Sequence, residues 1–150
     1  MDPVTIANEA TLIYDNITKN SNAVVTRILS LYDLTATKEA LLDSYTPGQT
    51  ITYITRVENT GSASLYNLTI VDDLANGTLQ YIDTSIEGYL NGSPIEIDVQ
   101  KTANTVTFKI DNVLNPNDNV LIIFETTTPT TNPEQITNTQ TITANGGSKT

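Results

Sequence analysis

Histidine, cysteine and tryptophan are all missing from this 150-residue chain, and methionine occurs once. Without imidazoles or thiols there can be no zinc-finger ligation, no Cys-His nucleophile pair, no Ser-His-Asp triad and no disulfide framework. Positive charge is scarce as well: seven Lys and Arg stand against seventeen Asp and Glu, for a net charge of −10. Seven scattered cations cannot neutralise a phosphate backbone or an anionic lipid surface, so nucleic acid is not an expected partner. Long apolar runs are absent too. The longest, Val120-Leu121-Ile122-Ile123-Phe124, falls far short of the roughly 20 residues a spanning helix needs, so no membrane insertion is expected. No N-terminal stretch reads as basic, then apolar, then small, the pattern of a secretory signal.

Threonine and asparagine fill the space these absences leave. Twenty-seven Thr and sixteen Asn make up over a quarter of the chain. Threonine favours strands and asparagine favours turns, which points to an all-β domain. The hydrophobic fraction of 38% is widely spread and sufficient for a core. Strands are expected at 4–14, 22–30, 33–40, 49–58, 65–73, 78–84, 94–100, 104–110, 119–127 and 135–144. Turn signals separate them, among them Pro47-Gly48, Thr60-Gly61-Ser62, Asn76-Gly77, Asn91-Gly92 and Asn115-Pro116-Asn117-Asp118. Lys38 to Asp43 is the one helix-like stretch and is too short to stand alone.

Alternation assigns the faces. Ile51, Tyr53 and Val57 share one side of their strand, as do Leu34 and Ala36, Leu68 and Ile70, and Val106, Phe108 and Ile110. Two sheets with such inner faces would close an immunoglobulin-like antiparallel β-sandwich. An internal similarity adds a further element. Ile6-Ala7-Asn8-Glu9-Ala10-Thr11-Leu12 matches Ile136-Thr137-Asn138-Thr139-Gln140-Thr141-Ile142 at its Ile, Asn and Thr positions, with Leu12 opposite Ile142. The first strand therefore reads as a second copy of the last. The expected organisation is an N-terminal arm over 1–30, a sandwich over 31–146 and a tail over 147–150.

Three segments carry a family resemblance. They are Tyr45-Thr46-Pro47-Gly48-Gln49-Thr50-Ile51-Thr52-Tyr53, then Val57-Glu58-Asn59-Thr60-Gly61-Ser62, then Leu68-Thr69-Ile70-Val71-Asp72-Asp73-Leu74. Together with Asp33-Leu34-Thr35-Ala36-Thr37-Lys38 and Asn138 to Ile142, they resemble the conserved-repeat surface domain of bacteria and archaea, domain of unknown function 11. The chain departs from that pattern at Gln49 for Asp, Ala75 for Pro and Gln140 for Ala. The resemblance implies an immunoglobulin-like sandwich in cell-wall and surface proteins, often in tandem arrays, with no enzymatic activity and no cofactor.

In a tandem array the residues before one domain are the closing strand of the previous one. The N-terminal segment thus fits either an excerpt of an array or a small subunit, similar to single-domain clostridial relatives, whose arm completes a neighbour's sheet. In the second reading Ile6, Asn8, Ala10, Leu12 and Tyr14 form the assembly arm. Heterologous head-to-tail contacts of this kind build an open homo-polymer. An intramolecular hairpin over residues 4–30, turning at Asp15-Asn16, is the alternative.

Several Gram-positive surface domains carry a Lys–Asn isopeptide crosslink, and the resemblance makes Lys38, Asp72 and Asn138 the best triplet for one. The bond needs a neutral amine beside a carboxamide, with an acid polarising the amide, all in an apolar interior. Lys38 is in phase with Leu34 and Ala36, Asp72 with Leu68 and Ile70, and Asn138 with Ile136 and Ile142. Other candidates are weaker. Asp111-Asn112 and Asn115 to Asn119 lack calcium-loop spacing, so no metal site is assigned. The Asp72/Asp73 pair lacks the aromatic platforms a glycosidase cleft would use. The expected function is therefore a structural subunit of an extracellular filament or appendage on a bacterial cell or spore surface. A stalk repeat, or an adhesin module binding through Tyr81, Tyr89 and Asn-rich turns, is the alternative.

Overall fold

The computed structural model describes residues 4–22, 24–28, 31–131, 135–145 and 147–149. Two compact units divide the chain, Met1–Leu31 and Tyr32–Thr150.

The first unit is a two-stranded ribbon. Strand β1 (Val4–Asn8) pairs antiparallel with β4 (Val24–Ile28), and β2 (Thr11–Tyr14) pairs with β3 (Ile17–Asn20). Asp15 and Asn16 form the turn, with φ of 47° and 60°. A tight hairpin of the I′ type needs positive φ at both central residues, which Asp and Asn tolerate best after glycine. The single strand expected over 4–14 is interrupted at Glu9 and Ala10, where the register shifts by one residue. There the ribbon is held by Ala10 N–H donating to Ser21 Oγ at 3.0 Å and Ser21 N–H donating to the Ala10 carbonyl at 2.8 Å. Residues 17–20, unassigned in the sequence, supply β3.

The second unit is all-β and immunoglobulin-like. One sheet runs β10 (Ser93–Ile95), β9 (Glu87–Leu90), β13 (Asn119–Thr127), β6 (Thr50–Asn59), β5 (Leu34–Ala40), with β8 (Gln80–Tyr81) also on β13. The other runs β11 (Asp98–Lys101), β12 (Val106–Ile110), β7 (Leu68–Asp72), β14 (Gln140–Ala144), β15 (Gly147–Lys149). Every pairing is antiparallel. Period-2 patterning drives this arrangement: along β13, Val120, Ile122, Phe124 and Thr126 are buried while their neighbours are half-exposed. The sheets meet at Phe108 of β12 and Phe124 of β13, ring centroids 5.0 Å apart, with Tyr53 stacked on Phe124 at 5.4 Å. Fully buried Leu, Ile, Val and Phe side chains of this kind stabilise the fold by about 1.5–3 kcal/mol each.

Several local features explain where the sequence pattern misleads. Strand β9 went unassigned because Gly88 interrupts its apolar rhythm, yet glycine is required there. A Cβ at position 88 would lie 2.6 Å from Ile97 Cδ1. The Asn91-Gly92 turn then closes β9 onto β10. Asn59, from the Asn-Thr-Gly motif, is buried and structural. Its Nδ2 donates to the carbonyls of Ala63 (2.9 Å) and Leu114 (2.8 Å), and its Oδ1 accepts from Gly61 N–H (3.0 Å). The expected tail residues 147–149 form an edge strand on β14. The regular ladder of β14 begins only at Gln140, so residues 135–139 approach the sheet without strand hydrogen bonding.

Candidate crosslink site

Lys38, Asp72 and Asn138 come from three different parts of the sandwich. Lys38 lies on β5, the edge strand of the first sheet, at the inward parity of Leu34 and Ala36. Asp72 ends β7 in the middle of the second sheet, opposite Val106 on one side and Gln140 on the other. Asn138 stands two residues before β14 begins. The structure brings all three side chains together. Lys38 Nζ lies 2.8 Å from Asp72 Oδ2 and donates to the Asn138 backbone carbonyl at 3.0 Å. Asn138 Nδ2 donates to the same Asp72 oxygen at 3.4 Å.

The surroundings are largely buried and polarised. Asp72 is fully buried and the Lys38 side chain is 15% exposed. Gln140 Nε2 donates to Asp72 Oδ2 at 2.9 Å, while its Oε1 accepts from buried Thr55 Oγ1 at 2.7 Å. Leu74 N–H donates to Asp72 Oδ1 at 2.8 Å. The Lys38 ammonium sits 4.7 Å from the centre of the Tyr53 ring, which favours it electrostatically. Burial nevertheless pushes the Lys38 amine below its ordinary value, against the opposing pull of the Asp72 and Asp73 charges. Burial also raises Tyr53, countered by its hydrogen bond with Asn138. An open groove of about 480 Å³ follows the site, lined by Leu34, Ala36 and Lys38 on one wall and Asn138, Gln140 and Ile142 on the other.

Beyond Asp72 the backbone makes an unusual turn. Leu74, Ala75, Asn76 and Gly77 have φ of 48°, 52°, 57° and 80°. Each non-glycine residue in this left-handed region costs on the order of 1–3 kcal/mol, which the surrounding contacts must offset. Leu74 and Ala75 are buried there. Glycine is favoured at position 77 by its φ of 80°, a conformation other residues rarely adopt. The turn aims Ala75 N–H at two acceptors, Asp73 Oδ1 (2.9 Å) and Asn138 Oδ1 (3.1 Å). Asp73 also binds the residue after Asn138: its N–H donates to the Thr139 carbonyl (3.1 Å), and its carboxylate accepts from Thr139 N–H (3.1 Å) and Oγ1 (2.5 Å).

Sequence reading named the triplet but did not connect it with Tyr53, Thr55, Gln140 or the turn ending at Asn76-Gly77 that surround it. Tyr53 and Thr55 were detectable by parity, since they alternate inward with Ile51 and Val57, and Lys38 pairs with Thr55 in register. Other expected positions are occupied differently. Asp118 accepts from Asn115 N–H (2.8 Å) in its own loop and from Asn91 Nδ2 (2.7 Å) in the β9–β10 turn. No cluster of three or more metal-ligating side chains occurs among the described residues. Tyr89 donates to Glu87 at 2.8 Å, and Tyr81 packs on Phe108. Of the arm residues, Asn8, Ala10 and Leu12 are exposed. Ile6 and Tyr14 sit in strands, and their side chains lie outside the described residues. No helix among the described residues is long and apolar enough to cross a membrane.

Known structures share this architecture. The major pilin subunit BcpA of Bacillus cereus matches with a TM-score of 0.63 at 14% identity, over 95% of this chain and 45% of that one. The pilus backbone protein RrgB of Streptococcus pneumoniae matches with a TM-score of 0.57 at 13% identity, over 75% of this chain and 31% of that one. The N-terminal domain of a Streptococcus gordonii adhesin matches with a TM-score of 0.61 at 18% identity, over 87% of this chain and 35% of that one. The fold is similar to that of Gram-positive pilin and adhesin domains. This chain spans less than half the length of each of the three. No family model and no curated protein matches it.

Proposed function

We propose that this chain is a structural module of an extracellular filament on a bacterial cell or spore surface, locked by a Lys38–Asn138 isopeptide bond between its two sheets. The observation that carries this reading is the meeting of Lys38, Asp72 and Asn138 around a fully buried carboxylate. In such surroundings burial pushes the Lys38 amine toward its neutral, nucleophilic form. Lys38 passes a proton to Asp72 across their 2.8 Å contact, and its lone pair attacks Asn138 Cγ. Asp72 then shuttles a proton from the new C–N bond to Nδ2, ammonia leaves and the secondary amide remains. The reaction happens once per chain, so the module is not an enzyme that turns over. A bond from the edge strand β5 to the segment entering β14 would staple the sandwich where its sheets open, the role a disulfide would fill in a chain with cysteine. Tandem mass spectrometry of a protease digest should find a branched peptide joining Lys38 to Asn138. Linear peptides covering both residues, with no branched species, would overturn the crosslink.

Assembly is the second half of the reading. The separate N-terminal ribbon leaves Leu12, Ile13 and Ile17 at 66%, 71% and 58% exposure. A two-stranded ribbon keeps both outer edges unpaired, so it can extend a neighbour's sheet without unfolding. The chain joins head to tail through this arm and forms a homo-polymer. Its structural neighbours include a major pilin subunit and a pilus backbone protein, which supports a fibre. Electron microscopy of the purified protein should show fibres that vanish when residues 1–20 are deleted. A monomer that instead binds glycan or host protein would favour the adhesin reading.

A further inference from the structure

The crosslink reaction has a second requirement besides the acid. As Lys38 Nζ adds to Asn138 Cγ, the carbonyl π pair moves onto Oδ1, and that oxygen needs a fixed donor. A backbone donor is aimed at it, Ala75 N–H at 3.1 Å. Asn138 itself is not held by a strand ladder, because β14 starts at Gln140. What fixes it is Asp73, which grips Thr139 through three hydrogen bonds and also accepts from Ala75 N–H. The left-handed run Leu74–Gly77 is what turns that N–H toward the carboxamide. A proline at position 75, the residue of the family pattern this chain resembles, would have no N–H to offer.

We infer that the Asp73–Gly77 turn is the oxyanion and positioning device of the crosslink, with Ala75 N–H as its donor and Asp73 as the positioning residue for Asn138. This rests on the crosslink reading. In the addition step Lys38 Nζ, having given one proton to Asp72, forms the N–C bond while Oδ1 becomes an alkoxide held by Ala75 N–H. Asp72 gives its proton to Nδ2 and takes one back from the former Lys38 nitrogen. Collapse of the alkoxide restores the C=O, breaks the Cγ–Nδ2 bond and releases ammonia. Atoms and charge balance with no outside reactant, and Asp72 ends in the protonation state in which it began the addition. Asp73 competes for the donor in the ground state, since it shares Ala75 N–H with neutral Oδ1. The alkoxide is the stronger acceptor, so the bond to Asn138 strengthens as the reaction proceeds.

Full-length chains made by cell-free translation, followed by intact mass over time, test this. Replacing Ala75 by lactic acid through nonsense suppression exchanges the N–H for an ester oxygen and leaves the methyl group in place. We expect the loss of about 17 Da that marks crosslinking to slow by roughly a hundredfold. Asp73→Ala should slow it by about ten- to a hundredfold through misplacement of Asn138. Asp73→Asn keeps an oxygen for the Ala75 and Thr139 N–H groups and should restore most of the rate. Far-UV circular dichroism identifies the chains that have folded, and rates are compared among those. A folded ester variant that crosslinks at the wild-type rate overturns the role of Ala75. Asp73→Asn as slow as Asp73→Ala overturns the role of Asp73. A wild-type chain that never loses the mass overturns the crosslink and this inference together.

Discussion

The N-terminal ribbon and the sandwich use similar residues to opposite ends. Both are built of short Thr-rich strands, yet every described side chain between Ala7 and Asn22 is exposed. The sandwich, by contrast, buries eighteen apolar residues among those described, around Phe108 and Phe124. A two-stranded ribbon has one layer and cannot make a core of its own, whereas two sheets can. Patterning alone therefore does not decide burial; the number of strands available to cover a face does. The sandwich holds the apolar core, and the ribbon exposes Leu12, Ile13 and Ile17.

Substitutions should separate the two regions sharply. The largest effect is expected from Phe124→Ala, which removes a fully buried ring from the contact between sheets. It should cost about 3–5 kcal/mol in a denaturant melt. Lys38→Ala comes next. It would remove the Lys38 partner of buried Asp72, whether ammonium or proposed amide, a loss of about 3 kcal/mol. Lys38→Ala with Asp72→Leu should recover part of this without restoring the bond. In the ribbon, Leu12→Ser and Ile13→Ser should leave the melting of the sandwich unchanged while weakening fibre formation seen by electron microscopy. A lower melting temperature in either ribbon variant would mean that the regions are not energetically separate.

Acid should produce a smaller, local effect. Asp73 is partly desolvated, which raises its pKa, but its hydrogen bonds with Thr139 and Ala75 and the charge of Lys38 outweigh this and hold it below its ordinary 3.8. Because its folded value is depressed, its stabilising contribution is complete above the unfolded value and disappears as pH falls through the lower, folded one. Amide exchange at Thr139, corrected for intrinsic rate, should thus stay slow near neutrality and speed up only below the usual carboxylate range. Smallest of all should be Lys101→Ala. The Lys101–Asp83 pair has both side chains more than half exposed, and its loss should leave the melting temperature within error.

Much of the sandwich was legible because its inner residues alternate cleanly: Val106, Phe108 and Ile110, or Val120, Ile122 and Phe124, announce their face by period alone. The triplet was legible for the same reason, since Lys38, Asp72 and Asn138 sit in phase with apolar neighbours. Two features escaped for physical reasons. Gly88 hides a strand because it carries no side chain, and a contact with Ile97 leaves room for none. The turn at Leu74–Gly77 was marked at Asn76-Gly77, but its start at Leu74 and Ala75 escaped because Leu and Ala have no preference for positive φ, and their conformation is imposed by contacts distant in sequence, those of Asp73 with Thr139 and Ala75 with Asn138. The ribbon was half legible. Asp15-Asn16 marks its turn, but the break at Glu9-Ala10 depends on the cross-strand bonds to Ser21.

The covalent staple is the central claim, and the intact mass of the folded, full-length protein tests it most directly. One Lys38–Asn138 bond predicts a mass about 17 Da below that of the sequence, with the deficit abolished by Lys38→Ala and by Asn138→Ala. A wild-type mass equal to that of the sequence would contradict it.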